Sequence, residues 1–334
     1  MMVLTVCSSL VIYRGPLWTR LFSLKHFMDY LLYLIVKSLV IFLQALPLRW
    51  VAQLGRLGGG LVYGLDRRHR RMAIRNLTEI FGDQKSEREI VLLARENFRR
   101  LGENYCSAIK TASMSAEALA PHLKMVGFEK IQDLETARKS WVAAVGHFGN
   151  FELYARIGWP GSDFQVATTF RSLKQKRLNQ LLQDLRARSK AMYFERREEV
   201  KELREAIKVR NMAVGFLSDQ HAGQSSIRIP FLGHECATTV ATAVFALRYR
   251  LPLVSAICYR TGLAQWEIEF NDWIPTRENG KARSIAAIMA DVNDALGKGV
   301  LRDPANWFWV HNRWRFLSRA ELRGQAAVVA PASV

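Results

Sequence analysis

The sequence predicts an α/β domain, with a central sheet flanked by helices, joined to an N-terminal membrane-associated helical region. Three observations predict it. From Lys124 onward, short apolar runs with strand character alternate with helical stretches, the pattern of a sheet covered on both faces. Near the N-terminus lies one nearly uninterrupted apolar stretch, and a cluster of arginines follows it directly. Of the 334 residues, 49% are apolar and 23% charged, which is globular composition rather than that of a disordered chain. The expected organisation is an apolar membrane-contacting segment over 1–48, one catalytic-size domain over 49–320, and a disordered Ala/Val/Pro tail over 321–334.

The elements follow in order. Met1 to His26 carries Arg14, Arg20 and Lys25 among short apolar runs without a small-residue cleavage site, which argues against a cleaved signal peptide. Tyr30 to Leu46, YLLYLIVKSLVIFLQAL, is broken only by Lys37, Ser38 and Gln44, and Pro47 stops it. A span needs roughly 20 apolar residues, so this stretch is a marginal span, a helix lying in the interface, or a buried core helix. Seven arginines between Arg49 and Arg75, against the single Asp66, favour the membrane, because an anionic leaflet attracts such a cluster. Ser86 to Lys110 has apolar residues at helical spacing behind a Ser-x-x-Glu start at Ser86 and Glu89. Strands are expected near 124–128, 141–146, 164–169, 212–217, 252–259 and 265–270, with helices over 174–190, 198–208 and 239–249.

Charge and motifs exclude several classes. The net charge of +18 calls for an acidic partner: nucleic acid, anionic lipid or an acidic protein. No helix-turn-helix, zinc-finger or RRM signature supports a nucleic-acid-binding protein. Cys7, Cys106, Cys236 and Cys258 form no C-x-x-C pair and the seven histidines show no ligand spacing, so no metal and no cofactor is expected. The Arg56 to Gly60 glycines lack the Lys-Ser/Thr of a P-loop, and no G-x-S-x-G elbow exists.

Chemistry concentrates in residues 140–156, SWVAAVGHFGNFELYAR. An apolar strand ends at Gly146, a His-Phe-Gly-Asn turn follows, and Phe151 opens a helix with Glu152 in its first turn. The carboxyl end of a strand in an α/β sheet is where ligands bind, which puts His147 at the mouth of a site. The expected pairing brings the Glu152 carboxylate to His147 Nδ1, so that Nε2 can take a proton from an attacking hydroxyl. A non-catalytic membrane scaffold would leave this pair unexplained.

His-Phe-Gly-Asn-Phe-Glu resembles the His-x-x-x-x-Asp/Glu signature of glycerolipid acyltransferases, in the Glu form of the lipid A lauroyl and myristoyl acyltransferase family. RHRRMAIRNLTEIFG from Arg68, FRSLKQKRL from Phe170, SDQHAGQSSIRIPFLGHECATT from Ser218 and the closing WFWVHNRWR resemble further blocks of that family, in the same order. The resemblance implies a glycerolipid acyltransferase-like fold with a central mixed sheet, His147 and Glu152 as catalytic dyad, and Asn150, Arg171, Asp219 and Gln220 in substrate binding. It departs at His221, which replaces an Asp, and at Ser172 and Leu173, where the family has proline after the arginine. The implied reaction moves an acyl chain from acyl carrier protein, or coenzyme A, to a hydroxyl of a lipid A precursor at the cytoplasmic face of an inner membrane, as a step of lipopolysaccharide biosynthesis. A lysophospholipid, glycolipid or amino lipid is the alternative acceptor. Thirteen Lys and Arg against six acids over Arg171 to Arg210 suit docking of the acidic carrier protein, with Lys174, Lys176 and Arg177 foremost.

Overall fold

The computed structural model describes residues 17–156, 164–196, 198–209, 211–223 and 226–315. The tail expected to be disordered and the first residues of the apolar segment lie outside the described residues.

Four helices come first: α1 (Leu17–Ala45), α2 (Leu48–Leu65), α3 (Arg67–Phe81) and α4 (Glu87–Thr111). Pro47 separates α1 from α2, since it sits in an extended conformation at the start of the second helix. Asp66 accepts from His69 N–H to open α3, and Ser86 with Glu89 forms a reciprocal capping box at α4, as the sequence anticipates. Within α1, His26–Ala45 is long and apolar enough to cross a membrane and is only 11% buried within the protein.

A seven-stranded mixed sheet follows. A short helix α5 (Ala116–Leu119) leads to β1 (Leu123–Val126), then α6 (Glu129–Thr136), β2 (Trp141–Val145), β3 (Gln165–Phe170), α7 (Lys176–Ala187), β4 (Met192–Glu195), α8 (Val200–Val209) and β5 (Met212–Leu217). The hairpin of β6 (Ser226–Phe231) and β7 (His234–Thr239) stands apart from the sheet, and α9 (Ala241–Tyr249), β8 (Leu253–Gly262), β9 (Gln265–Trp273), a small ribbon of β10 (Arg277–Glu278) and β11 (Lys281–Ala282), and α10 (Ile285–Arg302) complete the chain. The strand order is β1-β9-β8-β2-β5-β3-β4, with β2, β3, β4, β5 and β8 mutually parallel and β9 antiparallel to β8. All five residues of the central β2 are buried, which accounts for its unbroken apolar sequence. One face of the sheet packs on α3, α4, α8, α9, α10 and Tyr63 of α2, the other on Leu48 and Ala52 of α2, α6 and the segment after β2.

The six expected strands are all present, while β4, the β6–β7 hairpin and α10 were not anticipated. The helix expected from Phe151 is instead one 3₁₀ turn, Phe151–Ala155.

Two packing features fix the position of the site. Gly55 and Gly59 of α2 lie against Gly102 and Phe98 of α4 so closely that a Cβ on any of these three glycines would overlap facing backbone, so the two helices touch backbone to backbone. Beside this crossing the wholly buried Glu103 takes Arg56 from α2 and Arg260 from β8, at 3.3 and 2.8 Å, and accepts from Ala264 N–H. A buried charge held by two guanidinium groups and an amide joins three elements at one point.

Candidate active site

Strand register builds the centre. In the parallel pair β2 and β5, Val145 stands opposite Leu217. His147 and Asp219 each lie two residues beyond those strand ends, so an equal offset carries them to the same place. There Asp219 Oδ1 lies 2.8 Å from His147 Nδ1, and Asp219 Oδ2 accepts from His147 N–H and from Trp307 Nε1, both at 2.8 Å. The His147 loop takes its shape from Gly149, which has φ of +52° and whose Cβ position is filled by the Cys258 carbonyl; its N–H bonds Asn306 O.

Asp219 is completely buried. Burial works to raise its pKa, but the neighbouring imidazole and the three hydrogen bonds prevail and hold it at about 2. Against an ionised carboxylate, Nδ1 must carry the proton, and Nε2 then presents its lone pair. In the neutral ring this is the Nδ1–H tautomer, and Gln220, whose Nε2 lies 3.2 Å from His147 Nε2, matches it by donating there. Phe151 and Phe308 hold the ring, at centroid distances of 4.9 and 5.7 Å.

Glu152 does not make the expected bond to Nδ1. Its carboxylate faces Arg186 of α7, which donates from Nε at 3.2 Å and from Nη2 at 2.5 Å. The physical reason is that the chain after Asn150 turns tightly as 3₁₀ and aims Glu152 away from the strand end, while Asp219 arrives on the neighbouring strand.

A cavity of about 430 Å³ opens beside His147, walled mainly by Val36 and Val40 of α1, Tyr105 of α4, the α7 leucines and Phe308. Its size suits a small lipid or drug-sized ligand, and its lining is mostly apolar. A smaller cavity of about 80 Å³ lies on the sheet face against Ala143, Ala213, Gly215 and Ala256, and Phe151, Glu152, Arg186 and Tyr193 line both. Burial, with the Glu152 charge added, raises the Tyr105 and Tyr193 phenols to about 12.

The remaining expected residues are scattered. Asn150 is buried in the cavity wall and donates to Thr111 Oγ1. Arg171 is exposed just beyond β3 and lines neither cavity, whereas Arg156 and Arg186 line the larger one. Lys174 and Lys176 are exposed, and Arg177 lies 4.6 Å over the Tyr30 ring of α1.

Sequence reasoning missed the role of the closing block. Asn76 Nδ2 donates to Trp309 O and His311 O, Asn97 Nδ2 to Ala305 O and Trp307 O, and Arg313 to Gln220 O and Ala237 O. Trp307, Phe308 and His311 are thereby held against Asp219, His147 and His221. The signal was the tryptophan-rich run itself, whose Trp307, Trp309 and Trp314 form one aromatic cluster with Phe231.

No group of metal-ligating side chains exists among the described residues. Residues 19–316 match the family model for the bacterial lipid A biosynthesis acyltransferases, and a search of curated proteins gave no match.

Proposed function

The chain belongs to the bacterial lipid A biosynthesis acyltransferase family, and on that premise we propose that it moves a fatty acyl chain from an acyl carrier protein thioester to a hydroxyl of a lipid A precursor, with His147 as general base and Asp219 as the carboxylate that orients it. The observation that carries this reading is the bond from His147 Nδ1 to Asp219, which directs Nε2, bonded among the described residues only by the exchangeable Gln220 amide, to accept a proton beside an apolar cavity.

In the reaction the acceptor hydroxyl takes the place of the Gln220 amide at Nε2. As its oxygen attacks the thioester carbonyl, the proton passes to Nε2; the imidazolium is stabilised by Asp219. Collapse of the tetrahedral intermediate expels the carrier thiolate, which takes the proton from His147. Base, carboxylate and acceptor suffice, and no acyl-enzyme forms. Glu152 and Arg186 serve as a wall of the acyl cavity rather than as proton carriers. Residues 1–48 contact the cytoplasmic face of the inner membrane through α1, residues 49–320 form the catalytic domain, and the exposed Lys174 and Lys176 are where the acidic carrier docks, in preference to coenzyme A as donor.

Purified enzyme, assayed with acyl carrier protein and coenzyme A donors on a lipid A precursor, tests the reading. His147→Ala should lower turnover by about 10²- to 10⁴-fold with the fold intact by circular dichroism. Activity retained in that variant rules out the general-base role; equal use of both donors rules out carrier dependence.

A further inference from the structure

One helix carries an apolar face that nothing in the described protein covers. Along α2, Trp50, Leu54, Leu57, Leu61 and Leu65 recur every three or four residues and so form a single stripe. Trp50, Leu57, Leu61 and Leu65 are 67%, 63%, 64% and 73% exposed, more than most large apolar side chains of α1. The stripe cannot roll inward, because the opposite face of α2 is committed to α4 through Gly55 and Gly59 and to the core through Val51, Ala52 and Tyr63.

Its surroundings specify the occupant. Arg49 stands at one end of the stripe and Arg67, Arg68 and Arg71 at the other, all exposed. The only acid between Arg49 and Arg75 is Asp66, which is engaged with His69. Arg56 and Arg70 are turned inward, to Glu96 and Glu103 and to the carbonyls of Tyr63 and Gly64. A second copy of the same face would set these arginines against one another, whereas an anionic lipid surface neutralises them while taking up the leucines.

We propose that α2 lies in the plane of an anionic phospholipid surface, with Trp50, Leu57, Leu61 and Leu65 below the headgroups and Arg49, Arg67, Arg68 and Arg71 at the phosphates. This goes beyond the reading above, in which α1 makes the membrane contact and the Arg49–Arg75 cluster is only drawn to the anionic leaflet: here the apolar stripe of α2 itself enters the headgroup layer. It also sets the depth of the site: α2 is locked to α4, and α4 supplies Tyr105 and Asn104 to the cavity wall.

The test uses the full chain with Cys7 and Cys106 replaced by Ser and a single environment-sensitive fluorophore on Leu57→Cys, or on Lys281→Cys of the exposed β10–β11 ribbon as control. It is reconstituted with vesicles of phosphatidylcholine and phosphatidylglycerol. The label at 57 should shift to shorter wavelength, lose quenching by iodide and gain quenching by nitroxide-bearing lipid, while the label at 281 stays open to iodide. A label at 57 that remains iodide-accessible on floated protein overturns the proposal. So does one shielded from both quenchers, which assigns the stripe to a protein partner. As a second measurement, Leu57→Glu with Leu61→Glu, two exposed positions that leave the core untouched, should reduce recovery of the chain on anionic vesicles at moderate salt; unchanged recovery also overturns it. Neither readout involves acyl transfer, so the result stands apart from the fate of the catalytic reading.

Discussion

Two carboxylates flank the His147 loop, and their settings are opposite. Asp219 is fully buried at a strand end, accepts three hydrogen bonds and stays ionised. Glu152, its side chain 24% exposed on a five-residue 3₁₀ turn, meets one arginine between two cavities. The first setting holds a proton on Nδ1; the second closes a wall between two cavities. Position in the signature motif therefore does not identify the carboxylate hydrogen-bonded to the histidine, and register between neighbouring strands does.

The sharpest way to break this comparison is to neutralise each carboxylate in turn. Asp219→Asn should cost about 10⁴-fold in kcat, the scale seen when the carboxylate that sets a catalytic histidine's tautomer becomes an amide. Glu152→Gln should cost less than about tenfold and act on KM more than kcat, as loss of a binding wall does. If steady-state kinetics give the reverse order, Glu152 is the working partner and the arrangement at His147 rearranges on substrate binding.

A smaller effect is expected at Trp307. Trp307→Phe keeps the ring but removes one donor from a buried carboxylate, which should destabilise the fold by about 1–3 kcal/mol in denaturant melts. Its kcat should fall well short of the Asp219→Asn loss, because the Nδ1 bond survives. An unchanged melt would mean the indole contact adds nothing to holding Asp219 ionised.

The last effect is a pH dependence, one of stability rather than of activity. Burial depresses His311 to about 4, whereas in the unfolded chain it titrates near 6.5. The stability this group contributes is therefore present above pH 6.5 and is lost as pH falls toward 4. Thermal melts between pH 7 and pH 4.5 should drop more for the wild type than for His311→Gln. Parallel curves would show that His311 titrates freely.

Much of the fold was legible because periodicity is a local signal: β2 reads as buried along its whole length, and Ser86 with Glu89 announces α4. The β6–β7 hairpin was not legible, since Pro230 interrupts its strand pattern and Leu232–Gly233 makes a turn with two positive φ values without an Asn-Gly signal. At the site, His147 at a strand end could be read from sequence. Its partner could not, because Glu152 is five residues away and Asp219 is seventy-two, and only the strand order makes the distant residue the near one. Arg171 shows the same limit: a motif gives its place in the chain, but β3 ends on the surface there, and the arginines that line the larger cavity are Arg156, after the 3₁₀ turn, and Arg186, in the last turn of α7.

The clamps from Asn76 and Asn97 to the closing block carry a consequence for the order of assembly. They span 233 and 210 residues, and the segment they hold provides the indole at Asp219 and the ring over His147. Contacts of such separation form late, since the intervening chain must first be in place. During synthesis, the strands that carry His147 and Asp219 can pair while the last residues are still unmade, with neither Trp307 nor Phe308 there to hold the two side chains. Completion of the chain is thus coupled to completion of the centre, and a chain truncated before Pro304 should fold its sheet yet remain inert toward a reactive thioester.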